Sequence, residues 1–381
     1  MIKIIRTSTV PISLNILLKG QLKFLSQSFT IIGVSGSGQD LDEVKDREGV
    51  KTVSVEMQRG ISPIKDLISL YKLYLLFRNE KPQIVHSITP KAGLLTMLAG
   101  KMAGIPIRMH TFTGLIFPTK KGLIQKLLIK MDQLLCWSAT DIYPEGKGVK
   151  EDLIKYKITS KPLKILANGN VNGIDLDFFS KKEINNTEQN KLRNELGIHN
   201  DDFVFIFVGR LVKDKGINEL VEAFSNINKL NIKLLLVGPL ESELDPLLPQ
   251  TITEIKNNQN IISTGFQKDV RPYLSLANVF VFPSYREGFP NVVMQAGAME
   301  LPSIVSNING CNEIIVEGVN GTIIPVKNSN EILKSMLKIL TNKEYCDTLK
   351  SNARPMIESR YEQPVVWNAL LNEYELLIGK L

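Results

Sequence analysis

Arg210 and Lys215 stand five residues apart in "GRLVKDKG", directly after the apolar run "FVFIFV". A guanidinium and an ammonium beside the start of a helix, where backbone N–H groups lack partners, make an anion site that suits a diphosphate. Arg grips two phosphate oxygens with its planar fork, and Lys adds a mobile point charge. Gly209 and Gly216 bracket the pair and let the backbone come close to a phosphate. The alternative is a solvated basic loop.

A second apolar run, "NVFVFPS", leads into "YREGFPNVVMQAGAME". Pro290 and Asn291 suit a helix start, which puts Glu287 just outside a helix N-terminus. There a carboxylate either complements the helix dipole, worth about 0.3–1 kcal/mol, or accepts hydrogen bonds from sugar hydroxyls. Gln295, further along the same helix, is either an ordinary surface residue or a donor–acceptor partner for vicinal hydroxyls. "SNINGCNEII" is another strand-to-helix junction, in which Gly310 and Glu313 are expected to be structural.

In the first half, "VHSITPKAGLL" places His86 and Lys91 after a strand ending at Val85. "RMHTFTGLIFP" places His110 and Thr113 after another, and "TSTVPISLN" places Ser13 and Asn15 near the first helix start. One such loop is an ordinary structural feature. Three meeting on one edge are a candidate site.

These residues need elements that bring them to common edges. Strand-like runs alternate with helix-like segments: "MIKIIRT", then "LNILLKGQLKFLSQ" as one helix, "FTIIGVS", the long amphipathic "PIKDLISLYKLYLLFRNEK" and "PQIVHSI". The alternation implies a mostly parallel sheet covered on both faces. It weakens over "ILANGNVNGIDLDFFSKKEINNTEQN", read as a turn and a linker. It restarts at "DFVFIFVG" as a second parallel α/β domain and ends in the helix "PVVWNALLNEYELLIGKL". Two doubly wound domains leave a cleft, and ligands in such sheets bind at the carboxyl ends of strands.

The 381 residues fit two domains. Residues 1–180 hold 25 Lys and Arg against 15 Asp and Glu, and residues 181–381 hold 21 against 24. The basic half suits phosphates of lipid or nucleic acid, but no aromatic-plus-basic stacking motif supports nucleic acid. Cys136, Cys311 and Cys346 are far apart and only three histidines occur, so no metal site and a reducing, cytoplasmic setting are expected. The N-terminus lacks the apolar region of a signal peptide, and no apolar run reaches the roughly 18 residues of a spanning helix. "KKGLIQKLLIKMDQLLCW" is an amphipathic helix. Its stripe is Leu123, Leu127, Leu128, Met131, Leu134 and Leu135, with Lys120, Lys121, Lys126 and Lys130 mostly off it. It either packs on the sheet or docks on anionic lipid, at about 1 kcal/mol per nearby Lys.

The set "VGRLVKDKG", "LLLVG", "STGF" and "NVFVFPSYREGFPNVVMQAGAMELPSIVSNINGCNEII", with "VHSITPKAG" and "ANGNVNGID" before it, resembles glycosyltransferase family 4 of the GT-B fold. Within it, the chain is most similar to bacterial enzymes of capsule and O-antigen assembly. The resemblance implies an acceptor-side domain over 1–178, a nucleotide-sugar domain over 190–355 and a helix over 356–381 that returns to the first domain. It implies a retaining hexosyltransferase, using a UDP-sugar and a lipid-linked or oligosaccharide acceptor, with no cofactor and no bound metal. The enzyme would work in the cytoplasm, on the inner face of the membrane. By motif match Arg210 and Lys215 hold the diphosphate, Glu287 contacts the sugar, and Gly265 and Phe266 lie near the base. Gly209, Gly288, Phe289, Pro290, Asn291 and Gln295 complete the donor side, and Ser13, Asn15, His86, Lys91, His110 and Thr113 the acceptor side. Gln295 stands where the family pattern has a second Glu, and Thr113 where it has a His. Those two changes keep open a catalytically weakened nucleotide-sugar-binding partner. A GT-B-type sugar-nucleotide epimerase, which needs acid/base groups at the donor sugar, is the other alternative.

Overall fold

The computed structural model describes every residue except Arg59, Ser242 and Leu244. The chain forms two units, residues 1–173 with 363–381, and residues 174–362.

The first unit carries β1 (Lys3–Thr7), α1 (Pro11–Leu17), α2 (Gln21–Ser26), β2 (Thr30–Ser35), α3 (Gln39–Glu48), β3 (Lys51–Ser54), α4 (Pro63–Glu80), β4 (Ile84–Ser87), α5 (Pro90–Met102), β5 (Ile107–Phe112), α6 (Gly122–Ser138), β6 (Asp141–Pro144) and α7 (Lys147–Lys155). Its six strands are parallel, in the order β3-β2-β1-β4-β5-β6. A parallel sheet is covered on both faces, so its strands read as apolar runs. One face packs Ile4 and Ile84 against Leu14, Leu22 and Val44 of α1–α3. The other packs Ile5 and Val85 against Leu73, Leu95 and Leu135 of α4–α6.

The second unit carries α8 (Asn186–Glu195), β7 (Phe203–Val208), α9 (Ile217–Ser225), β8 (Ile232–Val237), α10 (Pro249–Asn257), β9 (Ile261–Gly265), α11 (Arg271–Leu276), β10 (Val279–Phe282), α12 (Asn291–Ala298), β11 (Ser303–Ser306), α13 (Cys311–Ile314), β12 (Gly321–Ile324), α14 (Ser329–Thr341) and α15 (Lys343–Tyr361). Its strands are again parallel, in the order β12-β11-β10-β7-β8-β9. The order reverses between β7 and β10, and at such a switch point the loops diverge and leave a crevice. The last helix, α16 (Gln363–Ile378), belongs to the first unit, where Leu370, Tyr374 and Leu377 join its core.

Three expectations from sequence are corrected. "LNILLKGQLKFLSQ" is two helices, broken at Gly20, whose φ is 80°. A Cβ there would lie 2.8 Å from the Trp367 ring of α16, so the break makes room for the terminal helix. His86 and His110 do not follow their strands but lie within β4 and β5. In α6 only Leu135 of the expected stripe is fully buried, together with Cys136 and Ser138, and Leu123 is 83% exposed.

Candidate active site

The loops after β7 and β10 are stitched together at the switch point. Gly216, with φ 72°, follows a short 3-10 turn over Lys213–Lys215 and precedes α9. A Cβ on it would lie 2.2 Å from the Pro283 carbonyl oxygen, so only glycine lets the turn rest on the segment leaving β10. The backbone N–H of Tyr285 then donates to the Asp214 carbonyl at 2.8 Å, and Arg286 Nη2 pairs with the Asp214 carboxylate at 3.0 Å. Gly310 works alike on the other side. At φ 74° its Cβ would meet the Gly288 carbonyl oxygen and Pro290 Cδ at 2.6 Å, which brings the loop after β11 against Gly288–Pro290.

This closeness joins two residues singled out in the sequence. Lys215 Nζ makes an ion pair with Glu287 Oε1, their side chains 16% and 17% exposed. Ser284 Oγ donates to the same carboxylate oxygen at 2.9 Å. Two donors on one oxygen fix the rotamer of Glu287 and leave its other oxygen available. Lys215 also lies 5.6 Å from the centre of the Phe282 ring. The thiol of buried Cys311 is pushed well above its ordinary range by burial and then by the Glu287 charge.

Arg210 stands two residues beyond the end of β7. Its guanidinium is half-exposed and pairs with Glu241 at 2.9 Å. Gly209 has φ 149° and its N–H donates to the Val237 carbonyl. Gly265 has φ 68° at the end of β9, and Phe266 beyond it is 73% exposed. Phe289 is buried, Pro290 caps α12, and Asn291 begins it. Gln295 is half-buried, and among the described residues its side chain has no hydrogen-bond partner.

Comparison with known proteins shows the family of the chain. Residues 188–356 match the family "Glycosyl transferases group 1", and residues 14–144 match "Glycosyl transferase 4-like". The capsular polysaccharide biosynthesis glycosyltransferase CapM of Staphylococcus aureus is 33% identical over 365 residues, 95% of this chain and 94% of its own. The chain belongs to the family 4 glycosyltransferases, of the bacterial surface-polysaccharide type. An Escherichia coli UDP-Gal:alpha-D-GlcNAc-diphosphoundecaprenol alpha-1,3-galactosyltransferase is 30% identical over 303 residues, 78% of this chain and 76% of its own. Among solved structures, a Rickettsia africae glycosyltransferase superposes with TM-score 0.82 at 18% identity, covering 99% of this chain and 98% of its own. Anabaena HepE, solved with UDP and glucose, superposes with TM-score 0.81 at 16% identity, covering 98% of this chain and all of its own. The fold of the transferase is GT-B.

In its first unit the transferase does not bring the six expected acceptor-side residues to one place. His86 is sealed inside, with Nδ1 2.7 Å from the Tyr374 hydroxyl and Nε2 2.8 Å from Thr111 Oγ1. Arg6 Nη1 donates to that tyrosine at 3.0 Å and to Gln21 at 2.9 Å. Burial, then the charge of Arg6, holds the His86 imidazole well below its ordinary range. His110 bonds Ser87 Oγ at 2.8 Å, and burial lowers it to about 3. Asn15 ties α1 to α3 through Asp40, Glu43 and Arg47. Lys91 pairs with Asp66, Thr113 Oγ1 donates to the Ile88 carbonyl at 2.8 Å, and Ser13 is half-buried in α1. Of the six, Ser13, Asn15, Lys91 and Thr113 follow strand ends, and Asn15 is buried there.

Sequence reasoning missed Ser284, Asp214 and the Tyr285–Glu219 bond of 2.6 Å. Ser284 carried a signal, since it stands three residues before Glu287 at a strand end. Asp214 carried none, because its partners, the Tyr285 N–H on its carbonyl and Arg286 on its carboxylate, are about seventy residues away in sequence.

Proposed function

We propose that the second unit binds a UDP-linked sugar and that the enzyme transfers the sugar, with retention of configuration, to a lipid-linked or oligosaccharide acceptor in surface-glycan assembly. The observation that carries this reading is the Ser284–Glu287–Lys215 cluster at the β7/β10 switch point. Departure of a nucleoside diphosphate develops negative charge on its oxygens. Lys215, Arg210 and the first-turn N–H groups of α9 supply positive charge there. Glu287 accepts hydrogen bonds from sugar hydroxyls through the oxygen Ser284 does not use. Phe266 offers an exposed ring face for the base, and Gln295 an amide for the ribose hydroxyls. The protein then supports front-face departure and attack by positioning and electrostatics, without a protein nucleophile.

Two relatives support the donor and acceptor classes. The E. coli enzyme's name specifies UDP-Gal and a diphosphoundecaprenol acceptor, and HepE has been solved with UDP-glucose. The first unit would carry the acceptor side through Ser13, Lys91 and Thr113, and would meet an anionic membrane through Lys120, Lys121, Lys126 and Lys130. No helix among the described residues is long and apolar enough to cross a membrane. Transfer is favoured over epimerisation because no histidine stands at the carboxyl edge of the second sheet. His199 precedes β7, at the opposite edge.

The test is a panel of nucleotide sugars scored by thermal shift, followed by transfer to undecaprenyl-diphosphate-linked sugars with the product anomer read by NMR. A ligand specific to the folded state raises its stability by mass action. A UDP-sugar hit with a retained anomer supports the reading. An inverted product refutes retention, and stabilisation by no UDP-sugar refutes the donor class.

A further inference from the structure

At the carboxyl edge of the first sheet lies a pocket that the donor site does not use. It opens between the start of α5, the loop after β5 and α6, and its apolar wall is Leu94, Phe112, Leu128 and Met131. Two charged side chains line it as well, Lys91 from the first turn of α5 and Asp132 from α6. Leu128 and Asp132 stand one helical turn apart and so share a face of α6. Gly93 lets α5 sink far enough to put Lys91 at this depth: a Cβ on it would lie 2.5 Å from His110 Cε1 and 2.7 Å from Leu135 Cδ1.

The two charges are held differently. Lys91 is buried and pairs with Asp66 of α4, which fixes its ammonium in place and leaves further N–H donors on it. Asp132 has no hydrogen bond or ion pair among the described residues. Burial pushes its carboxyl up to about 7. Polar groups taken out of water are normally partnered, and a carboxyl shifted by burial inside a cleft is a mark of a binding site. An apolar pocket with a few converging polar groups is the usual form of such a site.

Size and chemistry choose the occupant. The cavity measures about 70 Å³. A cavity of about 150 Å³ takes benzene, so this one takes a group about half that size. Lys91 can only donate, and ionised Asp132 can only accept. The occupant must therefore offer an acceptor, a donor and a small apolar end. A phosphate is repelled by Asp132. A lone methyl leaves both charges without a partner, and a pair of hydroxyls has nothing to set against Leu94, Leu128 and Met131. An acetamido group meets each need, with its carbonyl oxygen, its N–H and its methyl.

We propose that this pocket selects an amino-sugar acceptor by taking its acetamido group, with Lys91 donating to the carbonyl oxygen, Asp132 accepting from the N–H, and the methyl against Leu128 and Met131. This rests on the reading of the first unit as the acceptor side and adds to it the class of sugar. The test uses the full chain and two probes, the methyl glycosides of N-acetylglucosamine and of glucose, followed by saturation-transfer NMR. Wild type should bind the acetamido glycoside at least tenfold more tightly than the glucoside, with the strongest saturation on the acetyl methyl. Asp132→Leu removes the acceptor from an apolar wall, so its melting temperature should hold while the tenfold preference disappears. Asp132→Asn keeps a carbonyl oxygen for the N–H and should retain most of the preference. Equal binding of the two glycosides by wild type, binding of neither, or a preference unchanged in Asp132→Leu overturns the proposal. The probes need no donor and no lipid. Failure of transfer to lipid-linked acceptors with the acetamido preference intact therefore sinks only the lipid-linked reading, and transfer that proceeds without that preference sinks only the pocket.

Discussion

Lys215 and Glu287 can be tested as a pair, because their structural and chemical roles separate in a double-mutant cycle. Truncating either one strands the other in a site where both side chains are about five-sixths buried. Breaking a fully buried pair costs about 3–5 kcal/mol. With partial exposure and Ser284 still bonded to Glu287, about 2 kcal/mol is the working figure. In a unit of this size that lowers the melting temperature by about 4–8 °C. Removing both leaves no orphaned charge, so Lys215→Ala with Glu287→Ala should be no less stable than either single variant. The coupling energy expected is about 1–2 kcal/mol. Turnover should behave differently. Each single variant loses at least about 100-fold in kcat/KM, in line with loss of one preorganised electrostatic group, and the double variant recovers none of it. Chemical denaturation of the second unit and steady-state transfer rates, measured on all four proteins, complete the cycle. Turnover regained in the double variant, or singles within a few-fold of wild type, would refute the assignment of the pair to the donor site.

Gly216→Ala combines a positive φ with a clash on the Pro283 carbonyl. It should cost more than about 2 kcal/mol in urea melts and lower turnover. Gly49→Ala has a similar φ of 67° but nothing within 4 Å, and should cost only about 1 kcal/mol. Gln295→Glu should lower KM for the donor with little change in kcat, read by steady-state kinetics; an unchanged KM would place Gln295 away from the ribose. Below pH 6.5 the unfolded chain takes protons on His86 and His110 that the folded core refuses, down to about 3 for His110. Stability is therefore fully present above pH 6.5 and falls with acid by about 1.4 kcal/mol per pH unit from each histidine. His110→Asn should remove one share of that slope, measured by denaturation of the first unit between pH 4.5 and 7.5.

The second unit was legible because a parallel α/β sheet delivers its loops to one edge. An apolar run followed by Gly, Arg and Lys, and another followed by Glu, gave the strand ends. The adjacency of β7 and β10 then brought Lys215 to Glu287. What remained illegible rests on contacts distant in sequence. The split of the first helix at Gly20 depends on Trp367, and the sealing of His86 depends on Tyr374, both on α16. Local pattern placed both histidines in loops because each strand runs on for residues whose polar side chains are satisfied inside. α4 and α6 have apolar residues on more than one face, so periodicity could not tell which stripe packs and which meets solvent.

The proposed function requires that the switch point of the second unit hold a nucleoside diphosphate beside Lys215. Calorimetric titration of UDP into wild type and Lys215→Ala tests it most directly. Wild type should bind one UDP per chain and the variant at least tenfold more weakly, with folding confirmed by circular dichroism. Equal affinity in the two proteins, or no binding of UDP to wild type, would contradict it.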